Sequence, residues 1–405
     1  MHTSSLDLQK QCSILFEEHL KNFANNTLKT NFEDKGIHTL SDGIPGLCIF
    51  YASLNKLYPK NDWDYYAHRH LEILNKKIDF NSIGVSLYSG ISGIGASVLS
   101  LAKEGRYQQY LKSLNEVLEN RIRKLLNEFP SQYDVSTYDV FSGITGVVRY
   151  MLFFKENNNM NQLIKELVSK IILFAEYEMD RLSSDSANKD DSVNLGTAHG
   201  LSGILSILSI VKLEKFEVEN LNLTIVNLIA FFEKYTFETL GVLTFPERLP
   251  FINTPRHKKY INSSWCYGLT GITRSMILAS KAIDDMLLKE KYINNYNMFL
   301  DSLDLEKGKV STVFCHGVSG IIYETFLIYK ESGNIKFIEH ILKLLTILHV
   351  NSDFNNSNSF PDRSLEENYI EYKEGIVDGT ISVYIVIVAI LLNEREDMDW
   401  IFLKS

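Results

Sequence analysis

A short glycine element, Gly-x-x-Gly, recurs along almost the whole chain and constrains the fold more than any other feature. Each copy precedes a run of apolar residues, and successive copies are 47 to 68 residues apart. A period of about 50 residues fits two helices with their connections, so we predict a helical repeat protein. Six copies are intact, and the seventh lacks its second glycine. The first glycines are Gly43, Gly90, Gly143, Gly200, Gly268, Gly317 and Gly379.

Amphipathic segments lie between the glycine elements. In residues 111–129 and again in 163–177, apolar side chains recur at helical spacing, with polar side chains on the opposite face. The segments after the glycine elements are apolar nearly all round, which is typical of helices covered on both sides. With only seven prolines in the chain, long helices can run uninterrupted. We therefore predict an all-α fold.

The glycines have a steric reason if the helices close into a ring. The first turns of the inner helices then crowd together at one end. Residues without a Cβ let neighbouring backbones approach there, and they permit dihedral angles that other residues avoid. The same arrangement gathers helix N-termini, whose N–H groups and dipoles favour a thiolate or an oxyanion. We therefore expect the chemistry at this end of the ring.

Composition limits which classes of protein this chain can belong to and in which cellular compartment it is expected. The 405 residues, 45% of them apolar, suffice for a large core, and a net charge of −9 gives no footprint for nucleic acid. Four cysteines favour a reducing cytosol over secretion, and the first residues lack a signal-peptide pattern. The longest uncharged apolar run, 381–392, suits a buried helix rather than a membrane span.

Two copies of the repeat carry soft metal ligands directly before their glycines. Cys266 lies two residues before Gly268, Cys315 lies two before Gly317, and His316 lies between the latter pair. Equivalent positions converge in a ring of repeats, so we predict that the three side chains share one ion. Two thiolates and one imidazole suit Zn²⁺, and three protein ligands leave a fourth position open, as in catalytic zinc sites.

A structural zinc site would need a fourth protein ligand, for which the two other cysteines are the candidates. Cys12 lies in an amphipathic N-terminal segment, and Cys48 follows its glycine element in a position expected to face the core. Any one cysteine alone is more often a small buried hydrophobe than a ligand. The adjacent Cys-His pair and the second cysteine in phase with it favour zinc.

The same register adds three candidates for catalysis. His199 directly precedes the first glycine of the fourth copy, the position that His316 takes in the sixth. Asp139 lies four residues before the first glycine of the third copy, although it, like the nearby Asp134, also fits a solvated loop carboxylate. Tyr267 follows the first cysteine and either donates a hydrogen bond in the site or only packs there.

These motifs resemble those of the lanthipeptide (lantibiotic) cyclases, the LanC family, over essentially the whole chain. The resemblance implies an α/α toroid of seven inner and seven outer helices, with zinc at one end, as a single domain over residues 1–405. Some members also carry a small SH2-like or β extension, for which we expect a place within 204–262. The motifs are Trp265-Cys266-Tyr267-Gly268, Cys315-His316-Gly317, Ala198-His199-Gly200 and the glycine elements.

The resemblance also implies roles for the site residues. Cys266, Cys315 and His316 match the zinc ligands, while His199 and Asp139 match the catalytic histidine and aspartate of the family.

The chain departs from the family pattern close to the first cysteine. Family members often carry an arginine four residues before this cysteine, where this chain has Asn262. Arg256 and Lys258 are the nearby residues that would have to replace its charge.

The implied function is that of a zinc-dependent cyclase. It adds peptide Cys thiols to dehydroalanine or dehydrobutyrine by intramolecular Michael addition, which forms lanthionine and methyllanthionine thioether rings in lantibiotic biosynthesis. The implied partners are a dehydrated precursor peptide, leader plus core, and a dehydratase and an exporter in a membrane-associated complex. The implied location is the cytoplasm, with peripheral attachment at the inner face of the cell membrane.

Two other functions stay open. The first is a LanC-like zinc protein that binds glutathione or another thiol without cyclase activity. The second is another α/α-toroid enzyme, a glycosidase or a prenyltransferase. A glycosidase would need paired carboxylates at the mouth of the ring, and it would not need two cysteines and a histidine.

Overall fold

The computed structural model is mostly helical and describes residues 4–28, 36–102, 105–130, 134–182, 192–251, 260–305, 310–364 and 369–405. Every glycine element begins a helix, and most residues of these helices are buried. The helices that begin at glycine elements are α2 (Ile44–Leu57), α4 (Ile91–Leu101), α7 (Ile144–Met151), α9 (Leu201–Leu213), α11 (Leu269–Ala282), α13 (Val318–Ser332) and α15 (Thr380–Leu392).

In the part of the chain that the structure describes, seven further long helices alternate with these. They keep one polar face, as the amphipathic segments predict, and α5 and α8 below confirm the two helices predicted near 111–129 and 163–177. The alternating helices are α1 (Ser5–Thr27), α3 (Trp63–Lys77), α5 (Gln108–Asn127), α8 (Asn158–Arg181), α10 (Leu221–Lys234), α12 (Met286–Ser302) and α14 (Lys336–Asn351).

Short elements fill some of the connections. Two single-turn helices, α6 (Val135–Tyr138) and α16 (Met398–Ile401), and a 3-10 turn at Leu152–Phe154 lie between or after the long helices. Within the described ranges, six short strands form three antiparallel pairs. The pairs are β1 (Val193–Asn194) with β4 (Arg248–Leu249), β2 (Phe237–Thr239) with β3 (Val242–Thr244), and β5 (Asp362–Ser364) with β6 (Tyr369–Glu371).

The chain divides into two compact units. The first takes residues 1–83, 93–111 and 303–398, and in it α1 packs on α14 and α15, while α15 also packs on α2 and α13. The second takes residues 84–92, 112–302 and 399–405, and in it α9 packs on α11, α10 and α7. Within the described residues, no helix has both the length and the apolar character needed to cross a membrane. The single domain over 1–405 and the extension within 204–262 stay predictions.

Backbone hydrogen bonds join the turns that precede glycine elements, in most cases those of successive copies and in one case those of the seventh and the first. In every such bond the acceptor is the carbonyl of the residue two positions before a first glycine, so the repeat register is also a structural register. In the second unit the N–H of Tyr88 donates to Phe141, that of Val140 to Ala198, and that of Thr197 to Cys266. In the first unit the N–H of Cys315 donates to Val377, and that of Ile376 to Ser41.

The glycines are needed because neighbouring backbone and side chains approach them closely. They are not needed for unusual dihedral angles. The first glycines that cap helices have extended backbones, with φ from −95° to −143°, which other residues also adopt. A Cβ at Gly203 would lie 2.8 Å from Cγ2 of Val140, and one at Gly271 would overlap Oγ1 of Thr197. Both neighbours belong to the turn of the preceding repeat, so the absent side chains let adjacent repeats meet.

Candidate metal and catalytic site

Cys266 lies in the turn that leads into α11. Its carbonyl oxygen accepts hydrogen bonds from the backbone N–H groups of Thr197 (2.8 Å) and Ala198 (3.2 Å), which lie in the turn before α9. The hydroxyl of Ser264 accepts the N–H of Tyr267 at 3.2 Å and closes the turn. Only 8% of Cys266 is accessible. The thiol is therefore carried by a firmly bonded backbone at the start of a buried helix.

Cys315 and His316 lie in the corresponding turn before α13. The backbone N–H of Cys315 donates to the carbonyl of Val377 at 3.2 Å, which joins this turn to the one before α15. Cys315 is 9% accessible, whereas 34% of the His316 side chain is accessible. The imidazole is therefore the more open of the two ligand candidates in this turn.

The three side chains predicted to share an ion come together. One ligand atom from each of Cys266, Cys315 and His316 lies within 4.8 Å of the others. Two sulfur atoms and one imidazole nitrogen form a donor set of the kind that Zn²⁺ prefers, and the set fits three of the four positions of a tetrahedral zinc.

The other two cysteines lie in the core. Cys12 and Cys48 are both fully buried, and their sulfur atoms face the backbone carbonyls of Ile387 (3.9 Å) and Ala67 (3.7 Å). Burial raises the pKa of both thiols, which disfavours the thiolate that a metal needs. The expectation that Cys48 faces the core is confirmed, and neither residue belongs to the Cys-Cys-His cluster.

Asp139 and His199 form a hydrogen-bonded pair. Oδ2 of Asp139 lies 2.5 Å from Nδ1 of His199, and Oδ1 accepts the backbone N–H groups of Ser142 (2.6 Å) and Gly143 (2.8 Å). The aspartate side chain is 3% accessible and the histidine side chain 36%. A buried carboxylate on Nδ1 makes that nitrogen the donor and directs Nε2 outward, which is the arrangement of a histidine prepared for proton transfer.

The turns that carry Asp139 and His199 are joined by hydrogen bonds, one after the other, to the turn that carries Cys266. The N–H of Val140, next to Asp139, donates to the carbonyl of Ala198 at 3.2 Å, and the N–H of Ala198 donates to Cys266 at 3.2 Å. The turns that carry the aspartate, the histidine and the cysteine thus follow one another in the second unit. Asp139 is a bonded, buried residue of this row, in contrast to the solvated loop carboxylate that was the alternative.

Aromatic rings border His199. The ring of Phe141 lies 5.0 Å from the imidazole and stacks on Tyr88 at 4.0 Å, and the ring of Tyr267 lies 6.2 Å from the imidazole. Trp265 packs edge-on against Phe402 at 4.8 Å. Tyr267 is therefore next to His199 as a partly accessible ring, and its catalytic role stays a prediction.

Asn262 occupies the position where the family often has arginine. Its Nδ2 donates to Oε1 of Glu247 at 2.6 Å, and its Oδ1 accepts the N–H of Ser264 at 3.0 Å. The amide thus braces the turn that carries Cys266 and brings no positive charge. Arg256 and Lys258, which could replace that charge, lie outside the described residues.

One residue of the site could not be found from the repeat. Asp362, in β5, is 1% accessible, and its Oδ1 lies 2.7 Å from Nε2 of His316. Burial alone would raise the pKa of this carboxyl, but hydrogen bonds from His316 and Ser311 hold it below its usual value. Asp362 lies between two glycine elements, away from the positions that the repeat makes equivalent, so no pattern marks it in the sequence.

Comparisons with known proteins place the chain in a family. A family model described as lanthionine synthetase C-like protein matches residues 36–403. The chain is 27% identical over 383 residues to the nisin biosynthesis protein NisC of Lactococcus lactis subsp. lactis, a match that covers 89% of this chain and 86% of that protein.

The fold is also that of a solved relative. The structure of a nisin cyclase superposes with a TM-score of 0.75 at 21% identity, covering 97% of this chain and 98% of that one. This likeness confirms the predicted all-α class, the α/α toroid. Since the family model spans most of the sequence, the chain belongs to the lanthionine synthetase C-like family.

Proposed function

We propose that this protein is a zinc-dependent lanthipeptide cyclase. In this proposal Cys266, Cys315 and His316 hold the metal, and the substrate is a dehydrated precursor peptide with a leader and a core. The observation that carries the proposal is the convergence of two cysteines and a histidine from equivalent repeat positions, within 4.8 Å of one another. The similarity to the nisin biosynthesis protein supports the same class of reaction.

The three ligand residues would supply a metal with an open position. A zinc ion held there would lower the pKa of a peptide thiol, so that a thiolate forms at neutral pH. The ligand side chains come from tightly bonded turns, so they would fix where the reacting sulfur lies before it attacks the β-carbon of a dehydroalanine or dehydrobutyrine.

In this proposal His199 supplies the proton that completes the addition. A new C–S bond at the β-carbon leaves negative charge on the α-carbon and its carbonyl, and this charge must be matched by a proton. Asp139 contacts Nδ1 and orients the imidazole, so we propose that His199 delivers the proton from Nε2 to the α-carbon. The thiol proton lost before attack balances the proton gained, and no oxidant or reductant takes part.

The thiol-binding alternative would use the same ligand set. A protein that only binds glutathione or another small thiol needs the two cysteines and the histidine, but it has no need for a proton donor. The buried Asp139 and its hydrogen bond to His199 therefore favour a catalyst.

One assay separates the cyclase from the thiol-binding protein. The purified protein is incubated with zinc and its dehydrated precursor peptide, and the remaining free thiols are then blocked with an alkylating agent and counted by mass spectrometry. A cyclase protects peptide thiols from alkylation, because each ring consumes one. If every peptide thiol is still alkylated after incubation with the zinc-loaded protein, the cyclase proposal fails.

Location and assembly follow from the same proposal. We expect the protein in the cytoplasm, peripheral to the inner face of the membrane, in a complex with a dehydratase and an exporter. These partners rest on the family resemblance alone. Co-purification of the dehydratase with the tagged chain from the producing cell would support the complex.

A further inference from the structure

Asp362 is a buried acid held by three side chains in the first unit. Its Oδ1 accepts a hydrogen bond from Oγ of Ser311 at 2.9 Å and contacts Nε2 of His316 at 2.7 Å, and its Oδ2 accepts the hydroxyl of Tyr369 at 3.3 Å. The side chain is 1% accessible. A carboxylate this deep in a protein is kept only where donors surround it, and here one of the donors is a ligand of the proposed zinc.

The backbone next to Asp362 is joined to the turn that carries the ligands. The N–H and Oγ1 of Thr312 both donate to the carbonyl of Pro361, at 3.1 Å and 2.7 Å. The same turn continues to Cys315 and His316 and enters α13. The carboxylate and the imidazole are therefore fixed relative to each other by backbone as well as by side-chain contacts.

The contact decides which nitrogen of His316 serves as ligand. Asp362 occupies Nε2, so this nitrogen carries the proton and donates it to the carboxylate. Nδ1 is then the unprotonated nitrogen that offers its lone pair to a metal. A carboxylate on the far nitrogen of a ligating histidine also makes the imidazole a stronger donor and fixes the plane of its ring.

We propose that Asp362 is a positioning residue of the metal site, which holds His316 in the tautomer and orientation that bind zinc through Nδ1. The inference rests on the proposed function, because it assumes that His316 binds zinc. Asp362 itself touches neither substrate nor metal, so its effect passes through the histidine. The rival explanation is that Asp362 only stabilises the fold of the β5–β6 hairpin against α13.

Zinc affinity separates the two explanations. The full-length wild type, Asp362→Ala and Asp362→Asn are stripped of metal, and the dissociation constant for zinc is measured by competition with a chromophoric chelator. We expect Asp362→Ala to bind zinc about 10–100-fold more weakly. Asp362→Asn is expected to recover part of the loss, because its amide oxygen can still accept the proton of Nε2.

A matched control and a spectrum complete the test. Asp353→Asn alters another carboxylate of the same unit, which accepts the hydroxyl of Tyr372 and contacts no ligand, so it should leave zinc affinity unchanged. In the cobalt-substituted protein, the visible bands of the Asp362→Ala variant should shift in energy or intensity, because the imidazole is no longer held in one orientation. Thermal midpoints of the metal-free proteins report on folding separately, and Asp362→Asn decides the matter if Asp362→Ala does not fold.

Two outcomes would overturn the inference, and they differ in what else they overturn. If the wild type binds zinc and both folded Asp362 variants bind it within threefold of the wild type, only the positioning role is wrong. If the wild type itself binds no zinc, the proposed function loses its metal, and this inference is lost with it.

Discussion

Cys315 has two neighbours that define its chemistry, a second thiol and an imidazole, and this distinguishes it from the cysteines of the core. We predict that Cys315→Ala removes most of the bound zinc and all of the cyclisation, because two ligands hold a zinc ion far more weakly than three. Cys48→Ala is the control. It leaves a small cavity in the core that costs about 1 kcal/mol and should keep the full metal content. Full zinc in Cys315→Ala, measured by elemental analysis, would contradict the site.

The two carboxylate oxygens of Asp139 have different partners: Oδ1 accepts backbone N–H groups, and Oδ2 contacts His199. The proposed catalytic role of Asp139 can therefore be tested apart from its structural role. In Asp139→Asn, the amide oxygen can still accept the N–H groups of Ser142 and Gly143, while the amide NH₂ would face Nδ1 of His199 and favour the wrong tautomer.

We therefore predict that Asp139→Asn and His199→Ala both keep their zinc and lower the rate of ring formation by about 10²–10⁴-fold. The thermal midpoint of Asp139→Asn should stay close to that of the wild type. Rates are measured by the alkylation assay at early times. A rate within threefold of the wild type in either variant would remove that residue from the mechanism.

Register explains which site residues the sequence could predict. The position two residues before a first glycine carries both cysteines, and the position after it carries both His199 and His316, so a repeat period was enough to group them. Asp362 lies outside these positions. Its role depends on the path of a loop that approaches His316 from β5, and no local pattern encodes that path.

At the scale of elements, the glycines control how closely neighbouring repeats approach. We predict that Gly271→Ala destabilises the protein by about 1–3 kcal/mol or more, because a Cβ there would overlap Oγ1 of Thr197 and the carbonyl of Trp265. Gly84→Ala is the matched control, because nothing lies within 4 Å of its added Cβ. Thermal unfolding of the two variants checks this, and equal midpoints would contradict the steric role of the repeat glycines.

A buried acid, Glu396, joins two helices in the first unit. Glu396 accepts hydrogen bonds from Oγ of Ser53 (2.7 Å) and Nζ of Lys56 (2.9 Å), both in α2, and its N–H donates to the hydroxyl of Tyr323 in α13. Burial raises the pKa of Glu396 above its ordinary 4.5, although Lys56 and Ser53 oppose the shift. The folded protein thus holds this proton more tightly than the unfolded chain does.

The difference in proton binding between the folded and unfolded states sets how stability changes with pH. Since the folded state binds the proton more tightly, the contribution of Glu396 to stability is full below pH 4.5 and falls as the pH rises through the folded pKa. Glu396→Gln does not titrate. We therefore predict that its thermal midpoint, relative to that of the wild type, rises as the pH is raised from 4 towards neutrality. A constant difference between the two proteins over this range would contradict the raised pKa.

Helices were predictable and strands were not, for a physical reason. A helix of four or more turns repeats its apolar pattern several times within one segment, as α5 and α8 do. The strands have two or three residues each, too short for an alternating pattern, and they pair only where loops of the surrounding helices meet. The contacts of Gly146, Gly203 and Gly271 with residues of the preceding repeat also required the structure.

At the scale of the whole molecule, the repeat and the family agree on one long architecture. The family model spans residues 36–403, which includes all seven glycine elements, and the alternation of buried and amphipathic helices continues from α1 to α15. The degenerate seventh element begins a buried helix as the intact ones do, so loss of its second glycine does not end the pattern.

The most direct test of the central claim is to count the free thiols of a dehydrated precursor peptide before and after zinc is returned to the metal-free protein. Because the thiolate is proposed to form at the Cys-Cys-His site, the metal-free protein should leave every peptide thiol open to alkylation. Zinc at one equivalent should restore thiol protection in the wild type and fail to restore it in Cys315→Ala. Ring formation at the same rate in the metal-free and zinc-loaded proteins would contradict the account.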